Sequence, residues 1–250
     1  MDSTKIFNEL AQNYTIGRPI YADSLIDSLY ADYGFSDKST IADIGSGTGK
    51  FSSQLLDRKS LVYCVEPNDD MRIIAEAELK ACDNFHSVKG TADNTCLEDN
   101  SADFITVAQA FHWFDVDAFK KECKRILKPD GRIVLIWNTR NLSADINQKC
   151  AEIYKKYCAK FRGFNGGIAH DDERIKRFFD KGYELKEFDN PLYYDKEKFI
   201  NRCLSSSYSL KPNDAGYDEY MSLFEELFDK YNTDGKLCVP NKSVAYIGKV

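Results

Sequence analysis

The chain has 250 residues, with 34 Lys and Arg against 40 Asp and Glu and a formal net charge of −6. That size fits one α/β domain with an elaboration, and the acidic balance without a Lys/Arg-rich block disfavours nucleic acid and anionic membranes as partners. No apolar run approaches the ~20 residues that span a bilayer, and Met1-Asp2-Ser3-Thr4-Lys5 lacks the order of a signal peptide. The eight cysteines contain no C-x-x-C pair, so they read as reduced thiols of a cytoplasmic protein.

Apolar runs alternate with helical patterns through the first 140 residues. Ile41–Ile44, Leu61–Val65, Phe104–Ala108 and Ile133–Trp137 predict strands, with a weaker one at Phe85–Lys89. The unbroken Ile-Val-Leu-Ile-Trp of the fourth run suits a parallel strand buried on both faces. Between them, Phe51 and Leu55 mark one helix, and Met71, Ile74, Ala75, Leu79 and Cys82 mark a second. Val116, Phe119, Cys123, Ile126 and Leu127 mark a third, stopped by the turn signal Pro129-Asp130-Gly131. The charges of Lys120-Lys121-Glu122-Cys123-Lys124-Arg125 are expected on that helix's wet face. This βαβαβ rhythm predicts an α/β, doubly wound, mostly parallel sheet.

After residue 140 the rhythm changes. Ile146, Cys150, Ile153, Tyr157 and Phe161 predict a long helix ended by Gly163-Phe164-Asn165-Gly166-Gly167. Glu184–Phe188 and Leu192–Tyr194 predict a strand or a bent strand pair. An aromatic stripe over 217–231 predicts another helix, read as core packing or as a cap over a substrate pocket. Ser243–Lys249 predicts a last strand.

The most informative segment is Asp43-Ile44-Gly45-Ser46-Gly47-Thr48-Gly49-Lys50. Alternating glycines let backbone bend tightly and approach a ligand closely. Asp43, at the strand end, is expected in the crevice where open α/β sheets bind ligands. A dinucleotide fingerprint would be G-x-G-x-x-G, but Lys50 stands at its third glycine. Glu66 follows the second strand, where an acid can accept from both ribose hydroxyls, or act only as a cap or surface charge. Pro67 and Asn68-Asp69-Asp70 make a helix start. Gly90-Thr91-Ala92-Asp93-Asn94 follows the third strand, and Asp-Asn there also favours a turn. Gln109-Ala110-Phe111-His112-Trp113 follows the fourth.

Together these motifs resemble the class I S-adenosylmethionine-dependent methyltransferases, in the small-molecule branch of trans-aconitate methyltransferase-like (type 11) proteins. The resemblance covers about the first 140 residues and is loose beyond Arg140. It implies a seven-stranded Rossmann-like sheet with a helical cap insertion and an antiparallel last strand. It divides a single domain into a helical lid at 1–35, a cofactor core at 36–140, a variable cap at 141–240 and a final strand at 241–250. S-adenosylmethionine would be held by Asp43, the loop Gly45, Ser46, Gly47, Thr48 and Gly49, then Glu66, Pro67, Asn68, Met71, Ala92 and Asp93. Gln109, Ala110 and Phe111 would border its methyl end, and Tyr14 and Arg18 would fold over it.

The acceptor is expected to be a small molecule, a carboxylate among the candidates, bound by Trp113 and Arg140. A carboxylate is ionised near pH 7 and needs no base, whereas a phenol or amine would draw on His112. A packing role for His112 stays open. His86, His112 and His170 show no metal-ligand spacing, so no metal is expected. A monomer or homodimer is expected. A nicotinamide oxidoreductase and a cofactor-binding protein without catalysis are the alternatives.

Overall fold

A computed structural model describes residues 19–164, 172–206 and 208–250. They divide into two compact units. The first holds the described residues up to Trp137, those of 172–188, and Ser243–Val250; the second holds those of 138–166 and 189–242.

The first unit is built on a seven-stranded sheet. Its strands are β1 (Thr40–Ile44), β2 (Leu61–Val65), β3 (Phe85–Val88), β4 (Ala102–Ala108), β5 (Leu127–Arg140), β6 (Tyr183–Asp189) and the chain's last strand, β9 (Asn241–Gly248). Their order is β3-β2-β1-β4-β5-β9-β6. β1 pairs parallel with both β2 and β4, and β3 and β5 extend the parallel set outward. All four connecting loops that follow β1 to β4 therefore lie along one edge, the carboxyl edge where such sheets bind ligands. This is the doubly wound architecture expected.

Alternation along the strands builds a core on each face. Ile133, Leu135 and Trp137 join one cluster, with Val116, Phe119, Cys123 and Ile126 of helix α4 (Val116–Ile126) and Ile175 and Phe178 of α6 (Glu173–Phe178). Val134 and Ile136 join the other, with Leu25 and Leu29 of α1 (Asp23–Asp32) and Phe51 and Leu55 of α2 (Lys50–Asp57). Each such side chain withdrawn from water stabilises the fold by roughly 1.5–3 kcal/mol. Helix α3 (Asp69–Leu79) starts at Asn68, whose side chain accepts the Met71 N–H, as its sequence signal predicted.

Two expectations are corrected in this unit. Pro129-Asp130-Gly131 does not form a separate turn: β5 starts directly at Leu127, and these residues fill a register shift, because Ala102 pairs with Leu127 and Phe104 with Arg132. A Cβ on Gly131 would lie 2.6 Å from Leu127 Cδ2, so glycine permits the shift. Glu122 is buried instead of wet. The short α6 carries too few apolar positions to be read as periodic.

The second unit packs α5 (Asp145–Tyr157), α7 (Lys196–Leu204) and α8 (Tyr217–Tyr231) around Ile146, Cys150, Tyr154, Phe199, Cys203, Tyr220 and Phe224. An antiparallel hairpin joins β7 (Leu192–Tyr194) to β8 (Leu237–Val239). Helix α5 is shorter than its pattern implied. It stops at Tyr157, and Phe161 reaches the core from the loop beyond. Within the span 141–240 expected to form a cap, residues 172–188 group with the first unit. No helix among the described residues is long and apolar enough to cross a membrane.

Candidate functional site at the carboxyl edge

Asp43 lies at the penultimate position of β1 and is fully buried. Its Oδ2 accepts from Ser52 Oγ at 2.5 Å and its Oδ1 from Thr106 Oγ1 at 2.8 Å. One carboxylate thus ties β1 to the first turns of α2 and to β4. Burial pushes its pKa from 3.8 to about 6; the two hydroxyls oppose that rise and the Glu66 charge adds to it. The expected place in the open crevice is therefore corrected. Both oxygens are turned into the protein, and Asp43 braces the loop from beneath.

Above it the chain turns through Gly45, Gly47 and Gly49, with φ of +69°, +58° and +79°. Non-glycine residues adopt that region at a cost, and here space is missing too. A Cβ on Gly45 would stand 2.7 Å from Ala110 Cβ, and one on Gly49 2.6 Å from Leu79 Cδ1. The Gly45 and Ser46 N–H groups donate to Val65 O at 2.8 and 3.2 Å, which pins the loop to the end of β2. Thr48 is buried, and Ser46 Oγ is buried without a hydrogen-bond partner. Such an atom fits a loop shaped for a polar ligand.

Glu66 stands directly after β2. Its Oε2 accepts the Gly47 N–H and its Oε1 the Asn68 N–H, both at 2.9 Å. Burial raises its pKa, and these two amides with Arg72 oppose the rise. Each oxygen keeps a further lone pair for a hydroxyl donor. Pro67 and Asn68 lead into α3, where Met71 is buried with its sulfur 3.6 Å from where a Gly47 Cβ would be.

After β3, Thr91 and Asn94 close a four-residue turn with paired backbone bonds of 2.9 and 3.2 Å. Ala92 is half-buried in it and Asp93 is exposed. The turn is anchored from behind by Glu122, which the sequence did not single out. Glu122 Oε1 accepts from Thr95 N at 2.8 Å and Thr95 Oγ1 at 2.6 Å, and Arg125 donates to both carboxylate oxygens. The Arg125 bond, aided by Thr95, holds the Glu122 carboxyl down at about 2, against the cost of burial.

After β4, Gln109 adopts φ +59°, a strained conformation for a non-glycine residue, and its N–H donates to Ile136 O at 2.9 Å. Ala110 is buried, and a 3-10 turn covers Phe111–Trp113. Phe111 is corrected from a cofactor neighbour to a core residue. Its ring is 1% exposed among Phe114, Phe119, Trp137 and Phe178. The apolar pull of that cluster outweighs any gain at the edge. Trp113 is 49% exposed, and the half-buried His112 ring sits 4.9 Å from it. Arg174 Nη1 donates to His112 O at 3.4 Å.

Tyr14 and Arg18 lie outside the described residues. Arg140 belongs to the second unit. Ser52 and Thr106 were not legible as site residues, because only the folded chain brings them to Asp43. Among the described residues no group of His, Cys, Asp and Glu has an arrangement that could hold a metal.

The family described as "Methyltransferase domain" matches residues 42–135, which run from the end of β1 through the glycine loop into β5. An uncharacterized methyltransferase of Schizosaccharomyces pombe is 28% identical over 203 residues, 79% of this chain and 76% of that one. An uncharacterized methyltransferase of Mycobacterium tuberculosis is 36% identical over 140 residues, 56% of this chain, and this chain spans only 55% of its length. A solved structure of a candidate type II methyltransferase from Anaeromyxobacter dehalogenans superposes with a TM-score of 0.68 at 16% identity, covering 93% of this chain and 97% of that one, which speaks to the fold alone.

Proposed function

The chain belongs to the methyltransferase-domain family, and we propose that it transfers a methyl group from S-adenosylmethionine to a small-molecule acceptor. The observation that carries this reading is the hydrogen bond between Gly47 and Glu66. It joins a three-glycine loop to an acidic strand end, in the arrangement that a ribose and an amino-acid tail would need. The buried, partnerless Ser46 Oγ fits the same ligand.

Glu66 would hold the ribose hydroxyls through its remaining lone pairs. The Gly45–Gly49 backbone would seat the amino-acid end, and Asn68, Met71, Ala92 and Asp93 would border the adenine. The bound cofactor supplies a methyl group already activated on a sulfonium. What remains for the chain is alignment and exclusion of water, worth ~7–11 kcal/mol in well-oriented systems. Trp113 supplies an exposed aromatic face beside Gln109 and Ala110, suited to a cation by ~0.5–2 kcal/mol. His112 is the base within this segment for an acceptor that must lose a proton.

A thermal-shift comparison tests the cofactor. S-adenosylhomocysteine should raise the melting temperature and NAD should not; the reverse result rejects the reading. A radiolabelled methyl assay over small acids, phenols and amines then reports transfer itself.

A further inference from the structure

We propose that the second unit contains a binding site for a small organic carboxylate with an apolar body, centred on Arg140. The proposal does not depend on the methyl-donor reading, because every residue it uses lies in that unit.

Arg140 ends β5, and its guanidinium carbon lies 4.1 Å from the centre of the Phe164 ring. Stacking of this kind occupies the face of the guanidinium plane and leaves its edge for acceptors in that plane. Nη1 is buried and has no hydrogen-bond partner, and no carboxylate among the described residues forms an ion pair with Arg140. A buried cation without a counter-charge is costly, so a guanidinium placed in this way calls for an anion.

The groups that face it are Cys150 and Tyr154 from α5, Cys203 from α7, and Tyr208 from the loop after α7. Burial raises both phenols and the Cys203 thiol above their usual ranges, so these three stay protonated and neutral. The Tyr154 hydroxyl is already committed to Cys203 O at 2.8 Å. Cys150 is the exception. A hydrogen bond from Cys203, then the charge and a hydrogen bond of Arg140, hold its thiol below the usual range against the cost of burial, which makes a thiolate the internal competitor for the guanidinium.

A carboxylate fits better than a thiolate on two grounds. Its two oxygens match the planar fork in parallel hydrogen bonds, which one sulfur cannot. The fully buried Tyr154 ring backs those of Phe164 and Tyr208, at 5.7 and 5.1 Å between ring centres, and these two partly exposed rings supply the apolar contacts for the ligand's body. Arg140, Phe164 and Tyr208 are each partly exposed, so a ligand has a way in.

Isothermal titration of the full chain at fixed ionic strength tests this with phenylacetate, hexanoate, the neutral phenylacetamide and sulfate. Both carboxylates should bind, with phenylacetamide and sulfate weaker by about tenfold or more, as loss of a charge-assisted pair implies. Arg140→Gln should remove carboxylate binding, and Arg140→Lys should restore only part of it. Unchanged affinity for S-adenosylhomocysteine in both variants shows that they fold. The proposal is overturned if neither carboxylate binds wild type, if phenylacetamide or sulfate binds equally well, or if Arg140→Gln binds as wild type does. It is also overturned by an ultraviolet thiolate band in wild type that Cys150→Ala removes, with no carboxylate binding. If wild type binds the carboxylates but not S-adenosylhomocysteine, the donor reading fails and this site stands.

Discussion

The backbone N–H of Gly47 donates to Glu66 Oε2 at 2.9 Å, so the glycine loop and the end of the second strand form one hydrogen-bonded piece. Glu66→Ala removes the carboxylate that would meet the ribose and also releases the loop. S-adenosylhomocysteine affinity should fall by about 1–3 kcal/mol, the cost of losing hydrogen bonds to a charged group. Calorimetric titration measures it, and unchanged affinity rejects the ribose role.

Gly45 and Gly49 face two penalties, positive φ and a filled neighbourhood, while Gly182 has φ +87° and nothing within 4 Å of its Cβ position. Gly182→Ala should therefore cost only the backbone strain, of order 1–2 kcal/mol. Gly45→Ala and Gly49→Ala should each lose a further ~1–3 kcal/mol to overpacking. Urea denaturation of the three variants separates strain from clash. Equal losses at all three positions would show that the neighbours give way freely.

Asp43 gives stability an inverted pH dependence. Its folded pKa of about 6 lies above the ordinary 3.8, so the folded chain keeps a proton that the unfolded chain releases between those values. This contribution is fully present below 3.8 and is lost as pH rises through about 6. At about 1.36 kcal/mol per unit it amounts to the order of 3 kcal/mol. Asp43→Asn, neutral throughout, should flatten that segment of the profile. Unfolding free energies of both proteins at pH 4, 5, 6 and 7 decide it.

Glu122 acts in the opposite sense. Held at about 2 chiefly by Arg125, it stabilises the fold above its ordinary 4.5, and the benefit fades as pH falls toward 2. Glu122→Gln should cost on the order of 1–3 kcal/mol at pH 7 and progressively less toward pH 3. A gap that stays constant with pH would assign the loss to packing instead of charge.

If the His112 ring takes a proton from the acceptor, His112→Ala should depress turnover several-fold more than it weakens S-adenosylhomocysteine binding. Equal turnover assigns the ring to packing beside Trp113.

The parallel strands were legible because each is a continuous apolar run, and the glycine loop because its spacing is local. What the sequence hid depends on distant partners. Nothing near Asp43 in the chain announces that Ser52 and Thr106 will claim both its oxygens. Glu122 looked like one more charge on a wet helix face, until Thr95, far back in the sequence, buried it. Phe111 sits in a segment with loop chemistry, but four rings draw it inward. Glu184–Phe188 and Leu192–Tyr194 read as a strand or a bent strand pair, and the two runs enter different sheets. Helix α7 escaped notice because Phe199 and Cys203 are its two buried residues.

The second unit is made of two excursions of the chain, one leaving β5 and one running between β6 and β9, and the family match ends at residue 135, just short of where the first begins. Lengthening or shortening either excursion leaves the register of β1 to β4 intact. Insertions and deletions are therefore expected within 138–166 and 189–242, while a change of length between Gly45 and Glu66 has to keep the Gly47–Glu66 hydrogen bond in place. Divergence among relatives should accumulate as gaps in the former and as point changes in the latter.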